Sequence, residues 1–265
     1  MQIGIIGYGW VGKGQQKLFP NAVVYDKYNP FVPEGATEPT TMDDINKCDI
    51  AFVCVPTPLK KGELDVSIVE EAVKACESPL IVIRSTVMPG TTDRLSKKYK
   101  KHIVFQPEYL GETVAHPLFD PKGHQFLVLG GAPEDRRKVI EAYQLAYNAN
   151  VHIRQVTSYE AEIVKMSANR AVAFKVAQAQ ELFDACTAAK VDYYTIRDIV
   201  YGDDPRFSLW FTFIYPEARG FNSKCIPKDI YGWAAWAESC GYEPKLTHAM
   251  LKVNEKYLRD NKAKK

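Results

Sequence analysis

The stretch Ile3-Gly4-Ile5-Ile6-Gly7-Tyr8-Gly9-Trp10-Val11-Gly12 decides the fold. Ile3 to Ile6 form a short β-branched run that predicts a buried strand. The glycines that follow are spaced G-x-G-x-x-G. The first permits a tight turn, the second lets backbone approach a phosphate, and the third lets a helix pack close to the strand. A helical pattern from Val11 to Phe19 comes next, so its first amide groups face an anion. A second apolar run, Ala22 to Tyr25, leads into Asp26, nineteen residues after Gly7. A carboxylate at that place accepts ribose hydroxyls and repels a 2′-phosphate. The stretch therefore reads as an NAD site made by Gly7, Gly9, Trp10, Val11, Gly12 and Asp26, with Lys27 softening the preference over NADP slightly.

Outward from this turn, short apolar runs alternate with helical patterns. Ile50 to Val55, Leu80 to Ile83, Ile103 to Phe105, Gln125 to Leu129 and Val151 to Ile153 read as further strands. Ser67 to Cys76, Thr91 to Tyr99 and Pro133 to Tyr147 read as helices between them. The alternation predicts an α/β, Rossmann-type doubly wound parallel sheet covered by helices. From Ser158 to Lys190 there is neither proline nor glycine, which predicts one long helix capped by Ser158 or Thr157. Shorter helices are expected at Tyr194 to Val200, Pro227 to Cys240 and Leu246 to Arg259, with a loop from Gly202 to Lys224. The expected domains are 1–156, binding the dinucleotide, and 157–265, all-helical.

Composition narrows the function classes. Of 265 residues, 46% are apolar and 25% charged, as in ordinary globular proteins. A net charge of +2 gives no electrostatic footprint for nucleic acid. No apolar run is long enough to span a membrane. Met1 leads straight into the first strand, so no targeting segment is expected. Six cysteines stand at irregular spacings without a CxxC pair, which argues against a metal site or a disulfide framework and fits a reducing cytoplasm.

Two constellations carry chemistry. Glu162, Lys165 and Asn169 share one face of the long helix, and Lys165 and Asn169, one turn apart, can donate to one oxyanion. A solvated helix face is the plainer reading of that trio. In Gly220-Phe221-Asn222-Ser223-Lys224-Cys225-Ile226-Pro227-Lys228-Asp229, Pro227 suits a helix start and Cys225 stands just before it. The positive helix end, Lys224 and Lys228 favour the thiolate, so Cys225 reads as a nucleophile. Asp229, in the first turn, can orient a water or take a proton. The plainer readings are a small buried thiol and a helix-start carboxylate.

Together these residues resemble the UDP-glucose/GDP-mannose dehydrogenase family over nearly the whole chain. Val53-Cys54-Val55-Pro56-Thr57-Pro58 is similar to the family's VPTP strand end, Ser85 to Thr92 to its STV-x-PGTT segment, and Pro107-Glu108-Tyr109-Leu110 to its PE-aromatic-L segment. Glu160-Ala161-Glu162 with Lys165 and Asn169, Asp204-Pro205-Arg206, and Gly220 to Asp229 resemble the segments of its second half. The resemblance implies a four-electron oxidation of the C6 alcohol of a nucleotide sugar to a uronic acid, using NAD twice. It implies a thiohemiacetal and then a thioester on Cys225. Hydrolysis would be assisted by Asp229, Thr86 and Glu108, and oxyanions stabilised by Lys165 and Asn169. Pro56, Thr57 and Thr86 would also line the cofactor, while Gly220 and Lys228, with Lys165 and Asn169, would hold the substrate. A homodimer through the long helix is implied too.

Two departures stand out. Asn222-Ser223 replace the family's paired glycines, and the chain stops after the helix holding Asn254-Glu255, where the family continues into a nucleotide-sugar-binding domain. A two-electron hydroxy-acid or alcohol dehydrogenase, and an NAD-binding subunit without catalysis, are the alternative expectations.

Overall fold

The computed structural model describes residues 1–60, 63–111, 116, 118–144, 146–147 and 150–263. They form two compact units, 1–60 with 64–165 and 61–63 with 166–265.

The first unit is built on seven strands: β1 (Ile3–Ile6), β2 (Val23–Tyr25), β3 (Ile50–Val53), β6 (Leu80–Ile83), β7 (Ile103–Phe105), β8 (Phe126–Gly130) and β9 (His152–Val156). The short pair β4 (Leu59–Lys60) and β5 (Glu63–Leu64) stands outside this sheet, whose order is β2-β1-β3-β6-β7-β8-β9. β1 pairs in parallel with β2 on one side and β3 on the other. The chain thus reverses its winding direction at β1, which opens a crevice at the carboxyl ends of β1 and β3.

The inner strands β1, β3, β6 and β7 are buried throughout, so they read as nearly continuous apolar runs, whereas β9 at the sheet edge is mostly exposed and polar. One face, with Ile5, Phe52, Val82 and Leu129, packs on Leu18 of α1 (Trp10–Leu18) and on Val139 and Tyr143 of α5 (Pro133–Tyr143). The other, with Ile6, Val53, Ile83 and Phe105, packs on α2 (Met42–Ile45), α3 (Ser67–Ala75), α4 (Thr91–Tyr99) and Ala161 of α6 (Ser158–Ala189).

The sheet is mostly parallel rather than wholly so. β8 runs antiparallel to β7, meeting it at Phe105 and Gly130, and β9 follows β8 in parallel. Among the described residues of the connection from β7 to β8, a short 3₁₀ turn at Pro121–Gly123 is the only helical element, and a parallel pair would need a crossover. The chain therefore returns on the edge it left, beside the glycine turn. α5 stops at Tyr143, four residues before the expected end.

Thr157 caps α6: its amide (2.8 Å) and hydroxyl (2.8 Å) both donate to Glu160, and the Glu160 amide returns a bond to the Thr157 hydroxyl at 3.2 Å. The second unit continues with α7 (Tyr193–Asp198), a wide helical turn at Ile199–Asp203, α8 (Ile226–Ser239) and α9 (Lys245–Ala263). Its core gathers Ala173, Phe221, Ile230, Met250 and Leu251. Among the described residues no helix is long and apolar enough to cross a membrane.

Candidate active site

The glycine turn shows three distinct physical reasons for three glycines. Gly7 sits at φ +94°, and a Cβ there would lie 2.7 Å from the Cys54 carbonyl oxygen. A Cβ on Gly12 would lie 2.0 Å from the Gly7 carbonyl oxygen, so α1 could not pack so close to its own entry turn. A Cβ on Gly9 would meet nothing within 4 Å. Space at Gly9, the N-cap of α1, leaves room for a ligand against the helix amides, and no side chain among the described residues caps that turn. The pyrophosphate of a dinucleotide fits that donor set.

Asp26 is half-buried at the end of β2. Its carboxylate accepts the amide of Tyr8 at 2.7 Å and those of Tyr28 and Asn29 at 2.9 Å each. Burial pushes its carboxyl up, but the Tyr8, Asn29 and Tyr28 amides outweigh that and hold it below the ordinary range. Asp26 thus stays charged and is tied to the glycine turn itself. Lys27 pairs with Glu71 at 2.6 Å, which occupies its charge elsewhere. Trp10 is 40% exposed, and its indole N–H donates to the Gly111 carbonyl at 3.0 Å. Val11 is half-buried behind it, Pro56 is exposed and Thr57 buried after β3, and Thr86 is buried after β6, all at the carboxyl edge of the sheet.

Glu108 is buried, and both its oxygens are engaged. Oε1 accepts the amides of Tyr109 (2.7 Å) and Leu110 (2.6 Å), and Oε2 pairs with buried Arg84. Arg84 also donates to the Tyr143 hydroxyl at 3.0 Å, which receives Gln15 of α1 at 3.0 Å and donates to Gln106 at 2.7 Å. A buried polar chain thus links the dinucleotide helix to Glu108. Sequence reasoning missed it; Arg84, standing directly before Ser85-Thr86 and closing an apolar strand, was the available signal.

Lys165 is buried, with its ammonium 5.3 Å from the centre of the Tyr109 ring. His116, unforeseen in the sequence, stands nearby; burial first and the Lys165 charge second hold its imidazole below the ordinary range. Glu162, one turn before Lys165, is fully buried rather than solvated. It accepts the Gly90 amide (2.5 Å), the Thr92 amide (2.8 Å) and the Thr92 hydroxyl (2.6 Å), and so caps α4 from a different helix.

In the second unit, Cys225 is the N-cap of α8, and its thiol is half-buried. Asp229 is fully buried in the first turn. The Asn169 amide donates to it at 2.5 Å and the Lys228 ammonium at 2.8 Å. Three side chains expected from sequence to serve the reaction are therefore brought into contact. Ser223, in the place of a glycine, accepts the Ile226 amide at 3.2 Å, while Asn222 is exposed. Gly220 sits at φ +81°, and a Cβ there would lie 2.6 Å from Asn254 Oδ1. No cluster of three or more His, Cys, Asp or Glu suited to a metal occurs among the described residues.

Residues 33–147 match the UDP-glucose/GDP-mannose dehydrogenase family, NAD binding domain, and residues 159–256 match the same family's central domain. UDP-glucose 6-dehydrogenase TuaD of Bacillus subtilis (strain 168) is 30% identical over 226 residues, covering 80% of this chain and 47% of its own length. UDP-glucose 6-dehydrogenase AglM of Haloferax volcanii is 28% identical over 305 residues, covering 96% and 70%. The chain spans about half the length of most of the curated relatives it matches. The solved structure of a UDP-glucose dehydrogenase from the hyperthermophilic archaeon Pyrobaculum islandicum shares the fold, with a TM-score of 0.79 at 24% identity over 96% of this chain and 68% of that one.

Proposed function

Because the chain belongs to the UDP-glucose/GDP-mannose dehydrogenase family, we propose that it takes part in oxidising the C6 alcohol of a nucleotide sugar, of the UDP-glucose kind, to the uronic acid. The observation that carries this reading is the N-terminus of α8: a half-buried thiol at the N-cap, with a fully buried carboxylate one turn on, gripped by Asn169 and Lys228. A two-electron alcohol dehydrogenase has no use for that thiol.

NAD, when bound, supplies the hydride acceptor for both oxidations. Gly7, Gly9, Trp10, Val11 and Gly12 would hold its phosphates through backbone, Asp26 would hold a ribose, and Pro56, Thr57 and Thr86 would line it. The first oxidation leaves an aldehyde. Cys225 sulfur bonds to the aldehyde carbon, and the carbonyl oxygen takes a proton to give a thiohemiacetal. Lys165 and Asn169 donate to that oxygen while it carries charge. Loss of a hydride and the hydroxyl proton gives a thioester. Water then bonds to the thioester carbon, the C–S bond breaks, and Cys225 is restored as the carboxylate leaves. Asp229 orients the water, and Thr86 and Glu108 are the further candidates for assisting hydrolysis. Gly220 and Lys228 help hold the sugar. We place this chemistry in a cytoplasmic homodimer paired through α6, which a solution mass at micromolar concentration tests.

The deciding experiment follows NADH absorbance and product mass with UDP-glucose, UDP-galactose and GDP-mannose. Two NADH per sugar and an acid product are expected, with acid formation lost by at least about 10³-fold in Cys225→Ser. One NADH per substrate, undiminished in that variant, would replace the reading with a two-electron dehydrogenase. Tight NAD binding without turnover would leave an NAD-binding subunit.

A further inference from the structure

Two asparagines of α9 each bond both backbone groups of one residue in the segment leading to Cys225. The Phe221 amide donates to Asn254 Oδ1 at 2.8 Å, and Asn254 Nδ2 donates to the Phe221 carbonyl at 3.0 Å. The Arg219 amide donates to Asn261 Oδ1 at 3.1 Å, and Asn261 Nδ2 donates to the Arg219 carbonyl at 2.8 Å. Asn254 and Asn261 are seven residues apart, so they lie on one stripe of the helix. Gly220, at φ +81°, bends the chain between Arg219 and Phe221, and both residues present their amide and carbonyl to α9. The side-chain amides thus satisfy backbone groups that burial would otherwise penalise. Gly220 lies between them, and its missing Cβ is what lets Asn254 approach.

The Arg219 side chain fixes the same segment to α6. It donates to the Gln180 carbonyl at 3.1 Å and to Asp184 at 2.8 Å, with its guanidinium 4.8 Å from the Phe183 ring and 4.7 Å from the Tyr257 ring. Four residues after Phe221 the chain reaches the N-cap of α8.

We infer that Asn254 and Asn261 are positioning residues, which clamp the Arg219–Phe221 segment and so set the Cys225 sulfur at the N-terminus of α8. The functional weight of the clamp rests on the reading of Cys225 as the reacting thiol. The clamp itself is tested without that reading.

Peptide-resolved alkylation of the folded full chain with iodoacetamide reads Cys225 and Cys240 in the same molecule; the other four cysteines are buried. In Asn254→Ala, Cys225 alkylation at pH 7 is expected to slow about tenfold, and the pH midpoint of its reaction to rise by about one unit, because the sulfur leaves the positive helix end and less of it is thiolate. Cys240, at the far end of α8, serves as the internal control and keeps its rate. Asn261→Ala shifts Cys225 in the same direction by less. Asn254→Asp, which keeps the acceptor and loses the donor, falls between. Should Asn254→Ala fail to fold, the other two variants carry the same test. An unchanged rate and midpoint at Cys225 in the folded variants overturns the proposal. So does faster alkylation at all six cysteines, which assigns the asparagines to stability alone. Retained acid formation in Cys225→Ser would remove the thiol chemistry while leaving these alkylation results to decide the clamp.

Discussion

At the residue scale, Glu162 shows how far position can move a side chain from its ordinary chemistry. Burial pushes its carboxyl up to about 7, against the Thr92 and Gly90 hydrogen bonds that pull it down, with Asp93 adding to the rise. A carboxyl whose folded value exceeds its unfolded one stabilises the fold fully below the unfolded value. That stability is lost as pH rises towards the folded value. Comparing wild type with Glu162→Gln by urea unfolding, we expect the wild-type advantage to fall by roughly 2–4 kcal/mol between about pH 4.5 and 7, then to level. A flat difference across that range would sink this account. Asp26 is the opposite case. Three amides outweigh its burial and keep it ionised, as its proposed role towards ribose hydroxyls calls for.

At the element scale, what was legible in the sequence was whatever local spacing dictates. β1, the glycine turn and α1 follow from Ile3 to Gly12 because a turn at Gly7 and a close helix at Gly12 depend on neighbours a few residues away. The long helix was legible because nothing between Ser158 and Ala189 breaks it. The antiparallel β8 was not, since its direction shows only in its pairing with β7, where Phe105 meets Gly130. Nor were the Arg84–Glu108 pair, the Glu162 cap and the Asn254 clamp, whose partners lie 24, 70 to 72 and 33 residues away. Asn169, Lys228 and Asp229 were each readable as candidates, but their contact spans 60 residues and only folding reveals it. Gly12→Ala drives a methyl group into the Gly7 carbonyl, so α1 must move away from the turn. A stability loss of about 1–3 kcal/mol is expected from chemical denaturation, with NAD affinity weakened about tenfold or more by calorimetry. Unchanged affinity in the folded variant would separate the helix from the cofactor.

At the scale of the whole molecule, the two units divide the proposed chemistry. The glycine turn and Asp26 belong to the first unit, Cys225 and Asp229 to the second. Cofactor affinity and thiol chemistry should therefore separate on mutation: Cys225→Ser is expected to bind NAD within about twofold of wild type while forming no acid. A large loss of NAD affinity in that variant would count against the division. The half-exposed indole of Trp10 gives the means to measure it. Of the four tryptophans it alone belongs to the first unit, at the mouth of the glycine turn, while Trp210, Trp233 and Trp236 belong to the second. With those three replaced by phenylalanine, the tryptophan emission of the chain, excited to the red of its fifteen tyrosines, would come from one lamp at the proposed dinucleotide site. Its quenching, and the transfer of its excitation to reduced nicotinamide, would report cofactor arrival and turnover without any added dye.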